Sequence, residues 1–513
     1  MQFLSGASVL VLGLGESGVA CAQFAHLHGA HVTVADTRDG ALNVPPGLTL
    51  VQRLAGLRVV LGAFETSLLS GVSQLVVSPG LSPHRPDVAA LLAAAKAQGV
   101  VVCSEIDWFM QALKALSASR TDAPYTPSVL AITGTNGKTT VTELCAHLCT
   151  EAGVNAIACG NISPAALTAL MDAMARNAMP QVWVLELSSF QLHYTQHLTP
   201  TAAAVLNLTQ DHLDWHADMA EYAADKARIF GENTLKILNR DDPATMAMLG
   251  APLALKSAKS AKSAKPAPVR TLTFGLDAPS AVGDVGCVQE SGLNWLVQAQ
   301  VTPIERKRRK ADLIETHTQR LMPADALRIR GGHNHANAMA ALLLVQAAGV
   351  PIAQALHGLR SFRGGAHRCE PLHIIGDVEY INDSKGTNVG ATIAALNGLG
   401  DARQRLVLIA GGVGKGQDFS PLAPAVAQHC KAVVLIGQSA HEIQAALAQC
   451  GVPVSLASDL NDAIAQASAA CKAGDAVLLS PACASFDQFK SYADRGQQFA
   501  AAVRSLALDR GQS

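Results

Sequence analysis

The stretch Ile132-Thr133-Gly134-Thr135-Asn136-Gly137-Lys138-Thr139-Thr140 decides how this chain folds. It follows the apolar run Val129-Leu130-Ala131-Ile132 and opens into a helix-like segment from Val141 to Ala152. A strand, a glycine-containing turn and a Lys-Thr pair at a helix start make a phosphate cradle. Backbone N–H groups face the anion, and the helix dipole favours negative charge. Lys138 then reaches a terminal phosphate and the Thr139 hydroxyl sits on Mg2+. The pattern departs from GxxxxGK[ST], because position 132 is Ile rather than Gly. The plainer alternative is an ordinary glycine turn between a strand and a helix. Lys-Thr directly after Gly favours the cradle, and with it an enzyme that uses a nucleoside triphosphate.

Upstream of this stretch, short β-like runs alternate with helix-like segments. The runs are Ser8 to Leu12, His31 to Ala35, Leu57 to Leu61, Gln74 to Val77 and Val100 to Cys103. This is a parallel α/β pattern. Ser117 to Thr126 is polar, has Pro124 and Pro127 nearby, and reads as a linker. A second α/β unit begins at Val129. A third begins near Gly364-Gly365, with strands expected over Val378 to Ile381, Leu406 to Ala410, Ala432 to Ile436 and Ala476 to Leu479. A chain of 513 residues is too long for one core. Three α/β domains are expected, over 1–122, 123–364 and 365–513.

Apolar residues make up 49% of the chain and charged ones 15%, the balance of a soluble globular protein. The net charge of −1 gives no electrostatic case for nucleic acid or an anionic membrane. The 11 cysteines form no CxxC pair, which argues against a zinc ribbon or a redox dithiol and for reduced thiols in the cytoplasm. The N-terminal apolar run is broken by Gly13, Gly15, Glu16 and Gly18 and lacks a basic segment, so it reads as strand and turn rather than signal peptide. The charge-free span from Ala336 to Leu359 reads as two buried helices with a turn at Gly349-Val350-Pro351, not a membrane span. The Lys/Ser/Ala repeat from Lys256 to Lys265 is expected to be a mobile surface loop. The basic run Arg306 to Lys310 has no aromatic partners and reads as a solvated loop rather than a nucleic-acid patch.

Gly13-Leu14-Gly15-Glu16-Ser17-Gly18 matches GxGxxG after a strand, and Asp36 stands near the spacing of an acid on a ribose. Three readings stay open: a dinucleotide-dependent dehydrogenase, a crevice for a nucleotide-linked substrate, and a structural glycine turn. In the second, Asp36-Thr37-Arg38 touch the base or ribose and Ser78-Pro79-Gly80 line the same crevice. Glu186 ends the apolar strand Val182 to Glu186, a usual place for a Mg2+ ligand beside a phosphate loop, with a salt-bridged strand end as the alternative. Asn207 to His216 packs two acids and two histidines behind the run Ala203 to Leu206, a density that suggests metal or phosphate work. Tyr222 and Lys226 share a helical face. On residues alone Lys226 reads as a solvated helix lysine.

Taken in order, Gly134 to Thr139, Glu186-Leu187-Ser188-Ser189, Asp211-His212-Leu213-Asp214, His333-Asn334-His335-Ala336-Asn337, His367-Arg368 and Asn382 to Asn388 resemble the Mur ligases. Ser480 to Phe489 is similar to the D-glutamate-adding branch of that family. The resemblance covers the chain except roughly residues 250 to 325, an insertion holding the repeat and the basic run. It implies a Rossmann-like N-terminal domain for a UDP-linked substrate, a central P-loop domain for ATP, and a Rossmann-like C-terminal domain for the amino acid. It implies an ATP-dependent ligation in peptidoglycan precursor synthesis, with UDP-N-acetylmuramoyl-L-alanine and D-glutamate as substrates, by a monomer. Gly134, Thr135, Asn136, Gly137, Lys138, Thr139, Thr140, Asn334, Asn337, Arg368, Asp383 and Lys385 are the implied ATP contacts. Thr139 and Glu186 would hold one Mg2+, and His212 with a carbamylated Lys226 a second. Gly15, Glu16, Ser17 and Asn161 join the crevice residues on the UDP substrate. Thr387, Lys415, Ser485, Phe486 and Tyr492 would surround D-glutamate. Phe486 and Tyr492 stand where Leu and Phe are expected, and Gly386 where Ala is common.

Overall fold

Three sheets follow one another along the chain, each built from the apolar runs that the sequence displays. A computed structural model describes residues 2–39, 43–119, 124–249, 271–301, 316–400 and 405–511. The first sheet holds β1 (Ser8–Leu12), β2 (His31–Asp36), β3 (Arg58–Leu61), β4 (Gln74–Val77) and β5 (Val101–Cys103). Their order is β3-β2-β1-β4-β5, all parallel. The order reverses between β1 and β4, and in open parallel sheets a ligand crevice forms outside the carboxyl ends at such a point.

The second sheet holds β6 (Ser128–Thr133), β7 (Ala156–Gly160), β8 (Val182–Glu186), β9 (Ala202–Val205), β10 (Leu235–Asn239), β11 (Thr271–Phe274), β12 (Val285–Glu290), β13 (Leu293–Val301) and β14 (Thr316–Pro323). Its order is β14-β13-β12-β11-β10-β9-β6-β8-β7. Strands β6 to β12 run parallel, and β13 and β14 add antiparallel pairings at one edge. The third sheet holds β15 (Glu370–Ile375), β16 (Val378–Asn382), β17 (Leu406–Gly411), β18 (Cys430–Ile436), β19 (Val454–Leu456) and β20 (Ala476–Leu479). It is ordered β15-β16-β20-β17-β18-β19, with only β15 antiparallel.

The first two units share a core. Phe109, on the helix after β5, meets Trp183 of β8 edge-on at 5.1 Å between ring centroids, and both are fully buried. The Trp183 indole N–H donates to the Tyr125 hydroxyl, which donates to the Pro180 carbonyl, so the buried indole keeps a partner. The charge-free span forms the two expected helices, Gly332–Ala347 and Ile352–Ser361, and the first packs on the helix that follows the phosphate loop. Among the described residues no helix is long and apolar enough to cross a membrane. All eleven cysteines are free thiols.

Three expectations change. The helix after the phosphate loop is Lys138–Glu151, so it begins a full turn before Val141. Ser117 to Ser119 belong to the helix Glu105–Ser119, which shortens the linker. The span 250–325 is not an insertion outside the fold: 271–274, 285–290, 293–301 and 316–323 are strands of the central sheet. The repeat from Lys256 to Lys265 and the run from Arg306 to Lys310 lie outside the described residues.

Candidate active site

The phosphate loop is held from below by the loop that follows β9. Asn136 N–H donates to Asn207 Oδ1 at 2.8 Å, Thr135 N–H to the Asn207 carbonyl at 2.9 Å, and Thr135 Oγ1 to the Thr209 carbonyl at 3.1 Å. Gly137 turns the chain at φ +84°, and a Cβ there would lie 2.5 Å from Asn337 Oδ1, so the turn requires glycine. The helix starts at Lys138, where first-turn N–H groups have no intrahelical partner. Residues Thr135 to Thr140 line a cavity of about 300 Å³. The Lys138 ammonium is folded back on its own loop, 2.7 Å from the Gly134 carbonyl and 2.8 Å from that of Thr135.

Five basic side chains converge on this cavity, Lys138, Lys226, Arg368, Lys385 and Lys415, against two carboxylates, Glu186 and Asp211. In a chain of net charge −1 that is a strong local excess. Burial lowers the pKa of Lys138. Burial first, then Arg368 and Lys138, push Lys385 down to about 8. A site of this kind is relieved by a bound polyanion.

Lys226 is not a solvated lysine. It is 1% exposed, its ammonium donates to the Gly134 carbonyl at 3.0 Å, and it lies 4.6 Å over the Tyr222 ring. The helix Met219–Ala227 turns the Tyr222/Lys226 face onto the phosphate loop, where the Tyr222 hydroxyl meets Thr135 Oγ1 at 3.1 Å. Burial, reinforced by Lys138, holds the Lys226 amine well below its ordinary pKa. Glu186 ends β8 with one oxygen accepting from Asn161 Nδ2 at 2.8 Å; its Oε2 is buried without a hydrogen-bond partner. Among the described residues it has no ion-pair partner, and an orphaned buried carboxylate oxygen suits a cation. His212 stands at φ +57°, lines the cavity, and has its pKa lowered chiefly by burial.

The crevice of the first sheet is a second cavity, of about 490 Å³. Gly15 to Ser17, Asp36 to Arg38, Ser78 to Gly80 and Asn161 all line it. A Cβ on Gly18 would lie 1.9 Å from the Gly13 carbonyl oxygen, so glycine lets the helix sit on the strand end. Both Asp36 oxygens already accept, from Leu14 N–H at 2.7 Å and from the Arg38 guanidinium at 2.7 and 2.6 Å. Burial pushes the Asp36 pKa up, and these bonds outweigh it and hold it low. Asp36 therefore braces Arg38 and the glycine loop. Asn161 lines both this crevice and the phosphate cavity.

A third cavity, of about 440 Å³, opens between the central and C-terminal units. Asn334, Asn337, Arg368, Asp383 and Lys385 line it with Asn136, Gly137 and Thr140. Asp383 is pushed up to about 7 by burial, although Ser480 Oγ donates to it at 2.7 Å. Lys385 rests 3.9 Å over the Tyr492 ring. Thr387 and Lys415 line the phosphate cavity. Ser485, Phe486 and Tyr492 line none of the three cavities; Ser485 is buried with its Oγ unpartnered, whereas Phe486 is 72% exposed. Two positioning residues had no role in the sequence reading. Asn388 Nδ2 donates to Asn136 Oδ1 at 3.1 Å and Asp211 Oδ2 at 3.2 Å, while its Oδ1 caps the helix Val389–Leu399; Asn before an apolar helix start was a readable signal. Arg495, fully buried, donates to Ser384 Oγ and to the carbonyls of Ser384 and Cys483, and nothing local marks it.

Fold and site together define an α/β protein of three units, with a phosphate loop and a strongly basic cavity where the second and third meet. Residues 7–104 match the Mur ligase MurD-like N-terminal domain, 132–345 the Mur ligase middle domain, and 367–483 the Mur ligase glutamate ligase domain. The chain belongs to the Mur ligase family. It is 50% identical over 513 residues to the UDP-N-acetylmuramoylalanine–D-glutamate ligase of Burkholderia cenocepacia (strain HI2424), covering 98% of each chain. It is 51% identical over 518 residues to the protein of the same name from Burkholderia multivorans (strain ATCC 17616 / 249), again covering 98% of each. In fold it is similar to a MurF ligase from Thermotoga maritima in complex with ADP, with TM-score 0.56, 15% identity, and 99% of this chain and 100% of that one covered. A pseudomurein peptide ligase type C from Methanothermus fervidus matches with TM-score 0.54 at 16% identity, covering 98% of this chain and 100% of that one.

Proposed function

We infer that the protein is an ATP-dependent ligase that joins D-glutamate to UDP-N-acetylmuramoyl-L-alanine in peptidoglycan precursor synthesis, as a cytoplasmic monomer. The observation that carries this is the convergence of five basic side chains on a phosphate loop, in a cavity that shares the lining residue Asn161 with the crevice of the first unit. Division of labour follows the expected domains: 1–122 for the UDP substrate, 123–364 for ATP, 365–513 for the amino acid.

A carboxylate is a poor electrophile towards an amine. Attack of the substrate carboxylate on the γ-phosphorus of ATP expels ADP and gives an acyl phosphate with a good leaving group. Gly134 to Thr140 cradle the phosphates, Lys138 swings from its own carbonyls onto them, and Arg368, Asp383 and Lys385 approach from the C-terminal unit with Asn334 and Asn337 on the adenosine side. Thr139 and Glu186 would hold one Mg2+ and His212 with carbamylated Lys226 another, and these ions would neutralise the phosphate charge that repels the incoming carboxylate. The fit rests on the unpartnered Glu186 Oε2 and on the buried amine of Lys226, which its depressed pKa makes available for carbamylation. The D-glutamate amine then attacks the acyl carbon, and phosphate leaves. Lys415 neutralises a D-glutamate carboxylate, Thr387 and the free Oγ of Ser485 supply hydrogen bonds, and Tyr492 holds Lys385 in place.

The test is to supply UDP-N-acetylmuramoyl-L-alanine and ATP with each of a panel of amino acids and measure phosphate. Release with D-glutamate alone is expected. Release with L-alanine or a diamino acid instead, or nucleotide binding without turnover, overturns the assignment.

A further inference from the structure

Glu16 puts an acid on the glycine loop of the first unit, at the crevice assigned to a diphosphate. Negative charge is unfavourable there unless it is engaged elsewhere. The second unit engages it. Glu16 Oε1 accepts from Ser163 Oγ at 2.8 Å and from Ala165 N–H at 3.1 Å. Ala165 leads into the helix Ala166–Ala175, whose start has no side-chain cap of its own. A second acid of the first unit holds the same stretch of chain: Glu105 Oε1 accepts Leu167 N–H at 3.0 Å. Glu105 is 3% exposed and forms the buried anchor, whereas Glu16 is exposed and works at the rim.

The turn that Glu16 grips also carries Asn161. Gly160 N–H donates to the Pro164 carbonyl at 3.0 Å, which closes the turn on itself. At its other end Asn161 N–H donates to the Glu186 carbonyl at 2.8 Å, and Asn161 Nδ2 to Glu186 Oε1 at 2.8 Å. Asn161 to Ala165 alone therefore join the Glu16 carboxylate to the Glu186 carboxylate. The first of these acids lines the crevice and the second the phosphate cavity. Asn161 and Ser163 are exposed, so packing does not hold the turn; the hydrogen bonds at its two ends do.

We propose that Glu16 is a positioning residue for the ligation: by gripping Ser163 and Ala165 it sets the Asn161 turn, so that a substrate held in the crevice presents its reacting end in register with Glu186 and the phosphate loop. This rests on the reading of the crevice and the phosphate cavity as the UDP-substrate and ATP sites. Glu16 acts through Asn161 and not on the reacting atoms. Release of the turn leaves the nucleotide end bound and shifts the reacting end. A displacement of about 1 Å at a reacting centre costs on the order of 100-fold in rate, and loss of two bonds at one end of the turn is a partial displacement.

Two measurements on the full-length protein test this: single-turnover phosphate release from ATP with UDP-N-acetylmuramoyl-L-alanine and D-glutamate, and the affinity for UDP alone by calorimetry. Glu16→Ala should slow release about 10-fold. It should bind UDP at least as tightly as the parent, because an acid beside the diphosphate is removed while the backbone N–H groups of the glycine loop stay. Glu16→Gln keeps an acceptor oxygen and should recover most of the rate. Ser163→Ala should slow release less than Glu16→Ala, and the two changes combined should be no slower than Glu16→Ala alone, because both groups belong to one contact. UDP binding also reports that each variant is folded. An unchanged rate in Glu16→Ala overturns the proposal. So does UDP affinity that falls with the rate, which makes Glu16 a nucleotide contact. A Glu16→Gln variant as slow as Glu16→Ala overturns it too, since charge rather than the bonds is then the cause. A parent protein that binds UDP but releases no phosphate with D-glutamate defeats the ligation itself; failure of these variants in an active parent defeats this inference alone.

Discussion

At the scale of single residues, two lysines that share one carbonyl oxygen carry different duties. Lys138 and Lys226 both donate to Gly134 O, one from inside the phosphate loop and one from behind it. Lys138→Ala removes the only side chain of the loop that can neutralise a terminal phosphate. ATP-dependent phosphate release should fall by at least about a thousandfold, the scale of losing one preorganised transition-state donor or more. Near-normal release would reject the phosphate-loop assignment. Lys226→Ala opens the buried space where an anion is proposed to form. Its turnover should collapse and recover in part with a short carboxylate such as acetate, measured by the same assay; a variant that ignores acetate leaves the carbamate without support. Lys226 also marks where local reading stops. Helical spacing put it beside Tyr222, but nothing in that spacing says which surface the face packs against. Only the ordered motifs of the family pointed to it.

At the scale of elements, the buried parallel strands were legible because both their faces are covered, which leaves continuous apolar runs. β1, β4, β8 and β20 begin and end where the sequence indicated. β13 and β14 did not announce themselves, since they form an antiparallel edge and carry polar residues such as Gln298, Gln300, His317 and Gln319 along one side. A helix contact offers a pH test. Glu105 opens the helix Glu105–Ser119 and accepts Leu167 N–H at 3.0 Å, while its other oxygen is buried without a partner. Burial raises its pKa from 4.5 to about 7, with the Glu16 charge adding. A raised folded-state value means the folded chain keeps a proton the unfolded chain has released. Stability contributed by this group is full below pH 4.5 and is lost as pH rises through about 7. Glu105→Gln should therefore leave urea unfolding nearly unchanged at low pH and stabilise the protein by up to about 3 kcal/mol at pH 8. Equal destabilisation at both pH values would show that the amide fails the Leu167 bond and that the carboxyl was not held protonated.

At the scale of the whole molecule, the reaction cavity exists only because chain segments far apart in sequence meet. Asn136 and Asn388 touch across 252 positions, and Arg368, Lys385 and Lys415 of the third unit complete a site founded on the phosphate loop of the second. The motifs could be read one by one, and their joint order implied the partners, but no local pattern records that Asn388 pins the loop or that Arg495 holds the Ser384 turn. Phe486, assigned to the amino-acid pocket only through the resemblance of its motif, stands 72% exposed, and no local pattern says what covers it. The claim that unites these parts is chemical: the carboxylate of the UDP-linked substrate attacks the γ-phosphorus of ATP before any amine arrives. That transfer moves an oxygen atom, and the atom can be followed. With heavy oxygen in the carboxylate of UDP-N-acetylmuramoyl-L-alanine and with D-glutamate and ATP unlabelled, mass spectrometry of the phosphate released should find one heavy oxygen in each molecule. Phosphate without the label, formed at the same rate as the amide, would contradict phosphoryl activation at this site.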